Sequence, residues 1–163
     1  MSKTLSAEIS ATVLAVDDDS AMLASVTRVL RRSKIGVHAA KNGKAALRAL
    51  DHWMPELVLL DVSMPHMSGQ AFLRRFREKE AQINQAAGSN ALPVPVIFLT
   101  AQAGHRQRID GLNAGAVDYI TKPFDPEELR ARVCAQLRHH RKTQSPIQPI
   151  ADSSPTPLSG AAA

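Results

Sequence analysis

Three runs, VLAV (Val13–Val16), LVLL (Leu57–Leu60) and VIFL (Val96–Leu99), are apolar at every position, and each stops at a polar residue: Asp17, Asp61 and Thr100. Alternating polarity would mark strands with one wet face. An unbroken run marks a strand covered on both faces, as in a parallel sheet packed between helices. Parallel neighbours cannot be joined by tight hairpins, so the intervals between the runs must hold crossovers.

Helical spacing fills those intervals. Met22, Val26, Val29 and Leu30 recur with helical period after the acidic turn Asp17–Asp19, and Gly36 is expected to stop that helix. Val37–Lys41 reads as a weak second strand, and Asn42 and Gly43 open a short helix that runs to Trp53. Phe72, Leu73 and Phe76 share one face of a helix over 69–85, which Gly and Pro break within 86–95. A helix over 105–114 ends at Gly115, and 116–121 forms a fifth strand. In the last helix Asp125 is the N-cap, Pro126 sits in the first turn, Glu128 follows the cap by three, and Leu129, Val133 and Leu137 make the buried stripe.

Repeated strand–helix units with right-handed crossovers give a doubly wound α/β domain, expected over 12–142. A flexible N-terminus over 1–11 precedes it. The tail over 143–163, rich in Pro, Ser and Ala and without periodicity, is expected to be disordered, and no output domain is expected after the fifth helix.

Composition narrows the class. Aromatic residues make up 4% of the chain, so the core is expected to be aliphatic. No apolar run approaches the ~20 residues of a membrane span, and the first ten residues lack the apolar region of a secretory signal, which predicts a cytoplasmic protein without membrane contact. Cys134, the single cysteine, excludes an internal disulfide and reads as a small apolar filler on a helix. A net charge of +5 favours an anionic partner or simply keeps the chain soluble, and the basic clusters LRRFREK and LRHHRK suit the last turns of helices.

Folds of this kind bind ligands beyond the carboxyl ends of their strands. Asp17 and Asp18, Asp61, Thr100 and Lys122 all fall there. Carboxylates gathered in a partly buried crevice repel one another unless a cation lies among them, and oxygen ligands without Cys or His point to Mg²⁺. Asp61, set between the acidic turn and Lys122, is then placed as a nucleophile toward phosphorus, with Lys122 and Thr100 positioning and neutralising the phosphoryl oxygens. The turn after Asp61, shaped by Pro65 and Gly69, leaves a backbone carbonyl near Ser63 free for the metal.

VDDDS, LVLLDVSMPHMSG, VIFLTA and DYITKPF, in this order, resemble the receiver domain of two-component response regulators over Thr12 to about His140. The resemblance implies a flavodoxin-like five-stranded parallel sheet of order 2-1-3-4-5. It implies that Asp61 accepts a phosphoryl group from the phosphohistidine of a sensor histidine kinase or phosphotransfer protein, with Mg²⁺ held by Asp17, Asp18, Asp61 and the main-chain carbonyl of Ser63. Lys122 and Thr100 then contact the aspartyl phosphate, and a cis Pro123 fixes the direction of Lys122. Thr100 and Tyr119 are the switch residues, repacking the face of the fourth helix, fifth strand and fifth helix for a downstream output protein or a homodimer. Two features depart from the pattern: the segment before the fourth strand, NQAAGSNALPVP, is several residues longer than usual, and Asp19 enriches the acidic turn, where it is expected to face solvent or the helix rather than the metal.

Rival readings differ in testable ways. A phosphorylation-independent binding module of the same shape would lack the Asp, Lys or Thr that are all present here. A metal-dependent phosphatase of the haloacid dehalogenase type would carry its nucleophile on the first strand with a second Asp two residues on, whereas Val62 and Ser63 follow Asp61. No enzyme with an external substrate is expected. Direct nucleic-acid binding rests on charge alone, without a helix-turn-helix pattern, zinc spacing or aromatic platform, and is not predicted.

Overall fold

A computed structural model describes residues 10–101, 113 and 115–144. Strands β1 (Ala11–Val16), β2 (Ile35–Ala40), β3 (Leu57–Asp61), β4 (Val96–Thr100) and β5 (Asp118–Thr121) alternate with helices α1 (Ser20–Arg31), α2 (Gly43–Ala49), α3 (Gly69–Ala86) and α4 (Pro126–Gln144). The helix expected over 105–114 falls outside the described residues, Asn113 excepted, so α4 is the fifth helix of the sequence reading. The expected tail beyond Gln144 also lies outside them.

All strand pairs are parallel and the order is β2-β1-β3-β4-β5, as expected. Every residue of β3 and β4 is buried, because helices cover both faces. Alternate side chains divide the core. Val13, Ala15, Leu59, Ile97 and Ile120 pack with Leu23 and Leu30 of α1 and Leu129 and Val133 of α4. Leu14, Val16, Leu60 and Phe98 pack with Phe72, Leu73 and Phe76 of α3. The buried core of the α1/α4 face is aliphatic, as expected from composition, with Phe124 packed at its margin, while the buried aromatics gather on the other face, with Phe98 and Tyr119 at 5.2 Å between ring centres.

Several boundaries differ from the sequence reading. Gly36 does not stop α1: it lies inside β2, in register with Thr12. The helix ends at Arg31, and the chain reverses through Lys34, whose φ of 59° places a non-glycine residue in the left-handed region. β1 includes Ala11, which was placed in the N-terminal segment, and α4 runs two residues past Lys142. α2 stops at Ala49 rather than Trp53, whose ring packs 5.3 Å from that of His38.

The long segment before β4 is anchored by a carboxylate. Buried Glu80 accepts from the Val94 N–H at 2.6 Å and from Arg77 Nη1 at 2.8 Å. Arg77 also donates to the carbonyls of Val94 at 2.8 Å and Gly115 at 3.3 Å. Burying a carboxylate is tolerable only with such partners, and here they tie α3 to the segments that lead into β4 and β5.

Candidate functional site

Parallel strands point one way, so their last residues share one edge. Asp17 follows β1, with its N–H donating to Ala40 O at 3.1 Å. Its side chain is held by the Asp19 N–H, 2.9 Å from Asp17 Oδ1. Asp19 itself caps α1, accepting from the N–H groups of Ala21 and Met22, so it serves the helix as expected and leaves Asp17 and Asp18 to face the cleft.

Asp61 ends β3 in register with Leu99 and is buried. The Ser63 N–H donates to its Oδ1 at 3.3 Å. Gly69, the first residue of α3, donates to Val62 O at 3.0 Å, and a Cβ at this position would stand 2.3 Å from Asp61 O. Only glycine lets the helix start so close to the strand carrying Asp61. Ser68 caps α3 through the Ala71 N–H, and His66, with φ of 66°, makes the sharp bend between Pro65 and Met67. Met64 fills the core rather than forming a surface with Met67, which packs over Gly43.

One oxygen from each of Asp17, Asp18 and Asp61 lies within 4.8 Å of the others; Asp17 and Asp61 are buried and Asp18 is exposed. Lys122 enters from the end of β5, its N–H donating to Thr100 O at 2.7 Å, and the following peptide bond to Pro123 is cis, as expected. Its Nζ lies 2.6 Å from Asp17 Oδ2 and 3.4 Å from Asp61 Oδ1. The pairing with Asp17 was not read from the sequence, where 105 positions separate the two residues.

The charges compete. Burial pushes the Asp61 carboxyl above its ordinary value, the Lys122 ammonium pulls it back, and the Asp17 charge raises it again. Burial pulls Lys122 down, yet its hydrogen bond to Asp17 and the charges of Asp17 and Asp61 outweigh that, so its ammonium is held more firmly than usual. Three carboxylates against one lysine leave excess negative charge among oxygen donors, which fits a hard divalent cation.

Thr100 ends β4 in register with Thr121 and is buried. Tyr119 is buried too, its ring packed on Phe98. His66 is exposed. His139 is exposed and His140 buried, on different sides of α4, so they form no pair. Cys134 is half-buried against the α1/α4 core.

A parallel five-stranded sheet of this order, with an acidic trio and a lysine at its carboxyl edge, defines a doubly wound α/β protein whose strand-end carboxylates could hold a cation. Residues 13–134 match the response regulator receiver domain, and the chain belongs to that family. It is 40% identical over 131 residues to the transcriptional regulatory protein PrrA of Mycobacterium tuberculosis, covering 80% of this chain and 52% of that protein. It is 36% identical over 140 residues to the DNA-binding response regulator MtrA of Mycobacterium leprae, covering 86% and 57%. The chain thus spans about half the length of these curated relatives. Among solved structures, the receiver domain of the Francisella response regulator 1452 aligns with TM-score 0.67 and 29% identity, over 79% of this chain and 98% of that one. A putative response regulator from Chloroflexus aurantiacus aligns with TM-score 0.68 and 33% identity, over 78% and 98%. Among the described residues, no helix is long and apolar enough to cross a membrane.

Proposed function

We propose that Asp61 is a phosphoryl acceptor in a cytoplasmic two-component pathway. The observation that carries this reading is the convergence of Asp17, Asp18 and Asp61 within 4.8 Å, with Lys122 Nζ 3.4 Å from Asp61. The carboxylates of Asp17, Asp18 and Asp61 and the main-chain carbonyl of Ser63 are the donors for Mg²⁺, which when bound neutralises charge on the phosphoryl oxygens. Asp61 attacks phosphorus, forming the acyl phosphate as the bond to the donor's imidazole nitrogen breaks and the imidazole departs. β3, buried along its whole length, fixes the attacking oxygen, and Lys122 offsets the incoming charge.

Thr100 and Tyr119 are the switch: a hydrogen bond from the Thr100 hydroxyl to the new phosphate biases the packing at β5 and α4 between two arrangements. The phosphodonor is a sensor histidine kinase or phosphotransfer protein approaching the Asp61 edge, and the β5/α4 face serves a downstream output protein or a second copy. The chain acts on no external substrate. DNA binding is named for the relative MtrA, whose length this chain covers only in part, and the described residues of the receiver region offer no groove reader.

The test mixes the protein with Mg²⁺ and a small acyl phosphate and follows covalent phosphate by intact mass. Labelling of the wild type but not of Asp61→Asn is expected. Equal labelling of both moves the acceptor elsewhere, and no labelling of either favours the phosphorylation-independent module.

A further inference from the structure

Away from Asp61, a groove of about 760 Å³ runs between α1 and the uncovered half of β2. Its existence follows from small residues. β2 is an edge strand, and Ala39, in register with Ala15 of β1, raises only a methyl group toward the α1 side. Leu23, Ala24 and Thr27 of α1 complete a largely apolar floor.

Its rim is cationic. Arg28, Arg31 and Arg32 line one wall and Lys41 the other, and among the described residues no carboxylate lines the groove. The ion pairs among the described residues are made by Arg77, Lys79, Lys122, Arg130, Arg132 and Arg141, so none of these four cations is matched. The helix dipole accounts for Arg28 and Arg31 in the last turn of α1. It does not account for Lys41, which lies past the end of β2, or for the lack of any acid between the walls.

We infer that this groove docks an extended acidic segment of a partner protein, carboxylates to the rim and small apolar side chains to the floor. α1 is about 18 Å long at 1.5 Å per residue, room for roughly five extended residues. Nucleic acid fits less well: phosphates have no use for an apolar floor, and among the described residues no aromatic side chain lines the groove for a base to stack on.

The probe is a fluorescein-labelled peptide alternating Glu and Val, read by anisotropy, with a Lys–Val counterpart and unlabelled single-stranded and duplex DNA as competitors. Binding of the Glu–Val peptide alone is expected, weakening as salt rises. It should fall roughly tenfold or more in Arg28→Glu/Arg31→Glu. Ala39→Leu, which fills the floor and leaves every charge in place, should weaken it as well, in protein whose circular dichroism is unchanged. Absence of binding, binding untouched by the charge reversals, or displacement by DNA below the peptide's own concentration overturns the proposal. So does loss in the Arg variant with none in folded Ala39→Leu, which would reduce the groove to a bare charge patch. Acyl-phosphate labelling of Asp61 in Arg28→Glu/Arg31→Glu stays at the wild-type level, which keeps failure of the groove distinct from failure of the phosphoacceptor reading.

Discussion

Replacing Asp61 by Asn should stabilise the metal-free protein. The buried carboxylate has two acidic neighbours within 4.8 Å. At an effective dielectric of about 20, each costs roughly 3 kcal/mol at that separation, less for Asp18 because it is exposed. Lys122 at 3.4 Å returns roughly 5 kcal/mol on the same scale, but it is shared with Asp17, to which it lies closer at 2.6 Å. The Coulomb contributions nearly cancel, and desolvation of the buried charge tips the balance against ionised Asp61. Asn keeps the volume and retains an oxygen for the Ser63 N–H, so a gain of about 1–2 kcal/mol is expected.

The sign in pH is fixed by the same balance. Because burial raises the Asp61 carboxyl above 3.8, the folded state holds that proton more tightly than the unfolded chain does. Its penalty is absent below 3.8, where both states are protonated, and grows as pH rises to the folded value, above which it is complete. Urea unfolding in chelator should therefore show Asp61→Asn more stable than wild type near neutral pH, with the gap closing in acid. Mg²⁺ should stabilise the wild type more than the variant, since the ion binds the folded trio. A variant less stable than wild type in chelator at neutral pH, or a gain that persists unchanged below 3.8, refutes the repulsion argument.

Further outcomes follow from other contacts. Glu80→Ala removes the acceptor for the Val94 N–H and the partner of Arg77, and should cost about 2–4 kcal/mol in urea unfolding; a loss under roughly 0.5 kcal/mol would show the loop to be held otherwise. Gly69→Ala sets a Cβ against Asp61 O and should cost about 1–3 kcal/mol by thermal unfolding and slow acyl-phosphate labelling, whereas wild-type values for both would mean that α3 can shift freely. Burial holds His140 below 6.5, with His139 adding to this and Glu56 and Glu80 opposing it. Unfolded chain therefore takes up the proton first, and stability should fall as pH drops through 6.5; His140→Gln should flatten that slope, and an unchanged slope would place its cause elsewhere.

The parallel sheet was legible because unbroken apolar runs have few other solutions, and the carboxyl edge was legible because topology alone brings strand ends together. What escaped was set by tertiary contact. Gly36 carries a helix-stop signal, yet pairing with β1 absorbs it into a strand, and Lys34 adopts the left-handed turn with no side-chain sign of it. Glu80 lies in a helix rich in charge, where its type alone does not mark it for burial. Its position was nonetheless readable: Phe72, Phe76 and Glu80 are spaced by four, so the stripe that buries two rings buries the carboxylate as well. His140 continues the stripe of Val133 and Leu137 in the same way.

The pairing of Lys122 with Asp17 joins the ends of β5 and β1 across the carboxyl edge. Every backbone at the site is pinned to the sheet, through Asp17 N–H to Ala40 O, Val62 N–H to Leu99 O and Lys122 N–H to Thr100 O. The freedom left at the edge therefore belongs to side chains. The ammonium of Lys122 lies on Asp17, at 2.6 Å, and stands farther from Asp61. A cation held by Asp17 and Asp18 would weaken that hold, and the 3.4 Å gap to Asp61 is short enough for the ammonium to close by rotamer change alone. Ion binding and phosphoryl acceptance would then be coupled through one lysine changing partners, without movement of any strand.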